Sequence, residues 1–168
     1  MGYPRWMDYF AYTGIVLTVV QVALWVVLGS GDVMWLVLTG IAVLLIGVVF
    51  LVLPIVQFKR QGGVAEGGSY GNTTVLVSTG LYAIVRHPQY ASLPMFSLAL
   101  VLIVQHWSAV ALGACSIALF YLAFHKADAM DVDENIDKFG DAYREYMERV
   151  PGWNPMVGVW RLVRRRTP

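Results

Sequence analysis

With Cys115 as its only cysteine, the chain can close no internal disulfide and assemble no cysteine metal cluster. The residue reads as a small packing group, and no metal site is expected. Charge is scarce too: Asp, Glu, Lys and Arg make up 14% of the 168 residues, while hydrophobic residues reach 58%. A soluble domain carries about 25% charged and about 45–50% apolar residues. That shortfall excludes an ordinary soluble protein and points to a membrane. No internal repeat is visible, and no small-residue cleavage site follows the first apolar run, so that run is expected to stay attached.

The stretches without charge locate the spans. Ala11 to Gly29 is an uncharged run bounded by Asp8 and Asp32, and Val33 to Phe58 is a second. Both exceed the roughly 18 residues that mark a candidate transmembrane helix. Gln89 to Gln105 and Ser108 to Phe124 are shorter runs separated by His106-Trp107, which reads as a helical hairpin with a tight turn. The expected fold is all-α, a multi-pass transmembrane helical bundle of about four spans at residues 11–29, 33–58, 89–105 and 108–125. Residues 1–168 are expected to form a single domain with a cytosolic amphipathic C-terminal helix.

Basic residues are missing from the turns at Ser30 to Asp32 and His106 to Trp107; all twelve lie in the N-terminal segment, the central loop or the C-terminal segment. The positive-inside rule then makes both termini and the central loop cytosolic, in the cell membrane if the source is prokaryotic. The net charge of +1 sums unlike parts: Lys126 to Arg149 holds eight of the eleven acids, and Arg161 to Arg166 holds four arginines. The basic tail suits either anionic lipid, at about 1 kcal/mol per near-surface cation, or a solvated role in setting topology. A nucleic-acid partner is not expected.

Between Gln61 and Asn72 lie Gly62, Gly63, Gly67, Gly68 and Gly71, with no preceding strand and no closing lysine. This is a flexible connector rather than a phosphate loop. Pro54 should kink the second span, Pro88 suits the first turn of the third, and Pro94 should break that helix near the interface. Ile136, Phe139, Tyr143, Met147 and Val150 form an amphipathic stripe, with a break expected at Gly140 and a stop at Pro151. Val159, Trp160 and Leu162 beside the arginine run suggest an interfacial segment.

Chemistry concentrates in Leu76-Val77-Ser78-Thr79-Gly80-Leu81-Tyr82 and Arg86-His87-Pro88-Gln89-Tyr90, at the mouth of a span. Polar rings and charge are costly there unless protein or ligand satisfies them. His87, Tyr90 and Tyr82 are placed to share one pocket; interfacial tyrosine anchors and a snorkelling Arg86 explain them equally well. Asp128, Asp131, Asp133 and Glu134 follow the fourth span, where such a run is usually a solvated helix face.

These two segments, followed by an acidic stretch leading to Phe139-Gly140, Tyr143, Tyr146 and Val150-Pro151, resemble the isoprenylcysteine carboxyl methyltransferase and phospholipid methyltransferase group of integral membrane enzymes. The resemblance covers roughly 74–151. It implies S-adenosylmethionine as cofactor in a cytosolic pocket and a lipophilic or lipid-head-group acceptor arriving from the bilayer. Carried over by position, Thr74, Val75, Leu76, Val77, Tyr82, His87, Pro88, Gln89, Tyr90 and Asp131 would bind the cofactor. The family's acidic pair falls on Asp131 and Val132, so one acid is kept, with Asp133 or Glu134 as substitutes in another register. Carboxyl-methylating relatives carry Arg where this chain has Ala127, next to Lys126; relatives tend to have Gly at the place of Ser92.

The resemblance implies a methyl group already activated on a sulfonium, so catalysis needs positioning and exclusion of water more than acid–base help. A carboxylate acceptor needs no base. A protonated amine does, and His87, His125 and Glu134 are the candidates. Lys126 and Pro94 are candidates for substrate binding. Acceptor chemistry (carboxylate, amine or thiol) and oligomeric state stay open. Two other readings compete: an NADPH-dependent membrane reductase of the sterol reductase type, and a non-enzymatic small membrane protein.

Overall fold

The structure is a computed structural model that describes residues 5–67 and 73–166; Gly68, Gly71 and Asn72 of the glycine connector lie outside them. Among the described residues six α-helices follow one another: α1 (Arg5–Leu28), α2 (Met34–Gln61), α3 (Pro88–Val104), α4 (Trp107–Phe139), α5 (Asp141–Arg149) and α6 (Pro155–Arg166). A 3-10 turn, Gly80–Ala83, precedes α3, and no strand occurs among the described residues. The four expected apolar helices are present. Met7–Leu28, α2 and α4 are long and apolar enough to cross a membrane. α3, at 17 residues, is only about 25 Å long at 1.5 Å per residue, short of a hydrocarbon core of about 30 Å.

Two expectations need correction. The helix that holds the fourth uncharged run does not end near residue 125: α4 is one 33-residue helix running to Phe139. No glycine or proline lies between Gly113 and Gly140, so nothing in the chain interrupts it, and the acidic stretch is the continuation of a spanning helix. It ends at Gly140, whose φ of 60° favours a residue without Cβ. Pro94 does not break α3, which continues to Val104 with the proline inside it. Only one N–H is lost, the one that would have bonded the carbonyl of Tyr90. α2 likewise runs through Pro54.

The chain divides into two compact units. The first comprises Met1–Val48 and Ser92–Ala129. Its interior joins α1, α3 and α4 by packing and by a short polar chain. Gln21 is fully buried; its Nε2 donates to the carbonyl of Ala109 at 2.9 Å, and Ser97 Oγ donates to its Oε1 at 2.6 Å. Ser116 Oγ donates to the carbonyl of Gly14 at 2.9 Å, with Thr18 Oγ1 also 2.9 Å from Ser116 Oγ. Where water is absent, each of these groups is satisfied by a neighbouring helix. At Gly40 the backbones of α2 and α3 come close: a Cβ there would lie 2.8 Å from the Ala99 carbonyl oxygen and 2.7 Å from Ile103. At one end Gln105 spans the two turns, accepting from Val33 N at 3.1 Å and donating to Val33 O at 3.0 Å. The outward faces of α1 and α2 expose Val16, Val19, Val26, Leu38 and Leu45, a surface suited to lipid.

The second unit comprises Val49–Ala91 and Met130–Pro168. Its core is built on Tyr143, Tyr146 and Val150, packed by Leu76, Val132, Ile136, Phe139 and Met147. The stripe expected from residue spacing is the one that packs, on α4 and α5 together. Val132 thus belongs to a hydrophobic core.

Replacing Gln21 by Leu removes the amide that joins α1, α3 and α4, at a cost of about 1–2 kcal/mol. Thermal unfolding in detergent micelles should show a lower midpoint for Gln21→Leu, with no change for Val26→Leu on the exposed face.

Candidate functional site

The motif residues assemble within the second unit, beginning with the backbone. Val150 is extended (φ −121°, ψ 124°), as the residue before a proline prefers. This turns the chain so that the carbonyls of Pro151 and Gly152 face residues 86–87. Arg86 N donates to Pro151 O at 2.9 Å and His87 N to Gly152 O at 2.8 Å. The Arg-His-Pro and Val-Pro elements are therefore paired by hydrogen bonds, although more than sixty residues apart in sequence. Pro88 opens α3 and needs no such partner.

On this platform His87 and Tyr90 stack, with ring centroids 4.9 Å apart and planes inclined by 15°. Both reach the same carboxylate oxygen. Tyr90 donates its hydroxyl to Asp131 Oδ2 at 3.0 Å, and His87 Nδ1 lies 3.4 Å from that oxygen. Asp131 is carried on α4 about 10 Å beyond Phe124, at 1.5 Å per residue. Its backbone carbonyl accepts from Asn135 Nδ2 at 2.7 Å. The side chains of His87 and Asp131 are only 15% and 14% exposed, so the contact is largely shielded from solvent.

A second aromatic pair lies nearby in sequence. Tyr82, nearly buried, stacks on Phe58 of α2 with centroids 4.6 Å apart, and its carbonyl accepts the Tyr146 hydroxyl at 2.7 Å. Burial raises the pKa of Tyr146 well above the ordinary tyrosine value, with Tyr143 and Tyr82 adding to the rise and Arg86 opposing it. Gly80 has a φ of 61°, which favours glycine, and the amide of Gln57 occupies the place where a Cβ would project. Thr79 Oγ1 donates to Gln61 Oε1 at 2.7 Å.

Thr74 N and Val75 N donate to the Gly62 carbonyl at 2.7 and 3.1 Å, which ties the loop to the end of α2. Thr74 and Val75 remain exposed, Leu76 is half-buried against the aromatic core, and Val77 is buried. Gln89 Nε2 reaches the Leu51 carbonyl at 3.5 Å. The site candidates Tyr82, His87, Pro88, Gln89, Tyr90 and Asp131 are thus all in this unit. Glu134 and Asp133 are exposed on α4. Pro94, His125 and Lys126 belong to the first unit: Pro94 is half-buried, while His125 and Lys126 are exposed, and His125 stacks on Tyr121 with centroids 5.8 Å apart.

Sequence reasoning missed Phe58 and Gln57, which sit at the end of an uncharged run; Phe58 looks like any other span residue there, and Gln57 was a polar signal left unread. It also missed the backbone role of Pro151 and Gly152. The Tyr146 hydroxyl had a signal, its place among the distal motif residues.

Comparison with known proteins gives one family: a model described as phospholipid methyltransferase matches residues 35–128, more than half of the chain. The match takes in most of α2, which contributed no motif to the sequence reading, and stops before Asp131. No curated protein and no solved structure matches the chain significantly.

The raised pKa of Tyr146 has a sign that can be tested. Unfolded tyrosine ionises near pH 10, so the stabilisation is complete below that pH and falls as pH rises above it, by up to about 1.4 kcal/mol per pH unit. Tyr146→Phe should make alkaline unfolding shallower above pH 10. At neutral pH it should lower stability by about 1–3 kcal/mol, because the Tyr82 carbonyl loses its donor.

Proposed function

Because the chain belongs to the phospholipid methyltransferase family, and so is an integral membrane methyltransferase, we propose that it uses S-adenosylmethionine to methylate a lipophilic or lipid-head-group acceptor at the cytosolic membrane face. The observation that carries this reading is the contact of Tyr90 and His87 with Asp131. It gathers a shielded carboxylate, a phenol, an imidazole and stacked aromatic faces within one unit. That set suits a cationic, hydroxyl-bearing cofactor: Asp131 accepts from its ammonium or ribose hydroxyls, and Tyr90 or Tyr82 faces positive charge, worth about 0.5–2 kcal/mol. The proposal assigns Thr74, Val75, Leu76 and Val77 to the cofactor site as well, with Pro88 and Gln89.

When bound, S-adenosylmethionine supplies a methyl group already activated for in-line transfer. The protein's task is then orientation and removal of water. For a protonated amine acceptor, His87 is the base best supported by geometry. Asp131 faces Nδ1, which sets the orientation of the ring, and Nε2 is the atom that takes the proton. Buried Ala127, where carboxyl-methylating relatives carry Arg, favours an acceptor without a carboxylate to be clamped. Ten of the twelve Lys and Arg residues fall in the segments of the second unit, which supports a cytosolic placement of that unit and of both termini.

Equilibrium binding of S-adenosylhomocysteine to the purified protein tests this directly. Asp131→Asn should weaken binding about tenfold or more, in keeping with about 1.5–3 kcal/mol for a hydrogen bond to a charged group. Tyr90→Phe should weaken it less, and the exposed Glu148→Gln not at all. Binding of NADPH in place of S-adenosylhomocysteine would show a reductase.

A further inference from the structure

α6 takes no part in the contacts described so far, yet its two sides differ sharply. Asn154 fixes its start, with Oδ1 accepting from Met156 N and Val157 N at 3.1 and 3.2 Å. Its inner side rests on the motif loop: Gly158 lies so close to the Ile84 carbonyl that a Cβ would collide with it. Its outer side exposes Met156 (82%), Val159 (47%), Trp160 (58%) and Val163 (58%). These positions, i, i+3, i+4 and i+7, form one apolar stripe.

Charge beside this stripe is of one sign. From Pro155 to Arg166 the sequence has Arg161, Arg164, Arg165 and Arg166 and no acid; the side chains of Arg165 and Arg166 lie outside the described residues. The Arg164 guanidinium stands 5.3 Å from the centre of the Trp160 ring. Four large apolar side chains with an aromatic ring and flanking arginines match the boundary of an anionic leaflet. There the stripe enters the acyl region and the guanidinium groups meet phosphate. Three helices among the described residues are long and apolar enough to cross a membrane, so such a surface is at hand.

We propose that α6 is an interfacial helix that binds anionic lipid with its Met156, Val159, Trp160 and Val163 face. The inference stands apart from methyl transfer. It has a consequence for the motif loop: α6 seats on Ile84, and the residues just before it hold Arg86 and His87. Lipid bound to α6 therefore steadies the segment that carries His87.

The test uses full-length protein in nanodiscs of phosphatidylcholine with or without phosphatidylglycerol. In a Cys115→Ser background, Val163→Cys and, separately, Met156→Cys carry an environment-sensitive fluorophore. The label should be quenched by brominated lipid and shielded from iodide. Phosphatidylglycerol should raise the ratio of buried to exposed label by about fivefold per engaged arginine. Combined Arg161→Gln and Arg164→Gln should abolish that dependence on lipid charge. Quenching by iodide in both lipids would overturn the proposal, as would shielding from both quenchers, the sign of a protein partner or second copy. Burial that ignores phosphatidylglycerol would overturn it as well.

Discussion

A carboxylate on the extension of a membrane-spanning helix has to be satisfied by other groups, and in this protein Asp131 is met by Tyr90 and His87. Much of the second unit is arranged around that need. α4 must run unbroken past the apolar stretch so that Asp131 is held on a rigid rod. The proline at 88 must end the loop and start α3, so that His87 lies outside the helix and Tyr90 lies within its first turn. Carbonyls from Pro151 and Gly152 must hold the backbone of Arg86 and His87 in place.

The two units divide the physical work. In the first, polar groups such as Gln21, Ser97 and Ser116 are few, buried and spent on one another, which is how a helical bundle stabilises itself where water is absent. In the second, charged groups are more numerous, and His87 and Asp131 are only partly shielded. Tyrosine supplies both kinds of contact, with Tyr146 and Tyr90 donating hydroxyls and Tyr82 and Tyr90 presenting stacked faces. A family whose members transfer methyl groups in membranes fits such a pairing of a stable apolar bundle with a polar, charge-rich unit.

Much of this was legible from residue types. Uncharged runs located the apolar helices, Gly140 and Pro151 marked the breaks, and the stripe through Ile136, Tyr143 and Val150 anticipated the packed face. The spacing of His87 and Tyr90 suggested a shared pocket, whereas the link from that pair to Asp131 came only through resemblance, because contacts across forty residues leave no local trace. Other features were hidden for definite reasons. Phe58 lies in a long uncharged run rich in large apolar residues, so its stacking on Tyr82 had no distinguishing pattern. Prolines inside apolar helices give the same local warning whether the helix breaks or continues; at Pro94 it continues. Val132, read as a lost acid, turned out to be core packing.

A double-mutant cycle on Tyr90→Phe and Asp131→Asn, read by S-adenosylhomocysteine affinity, probes the central contact most directly. If the hydroxyl and carboxylate act together on the ligand, the two losses overlap and the coupling energy is about 1–2 kcal/mol. Strict additivity, with each substitution costing as much in the presence of the other, would show that the two residues are neighbours without a shared task.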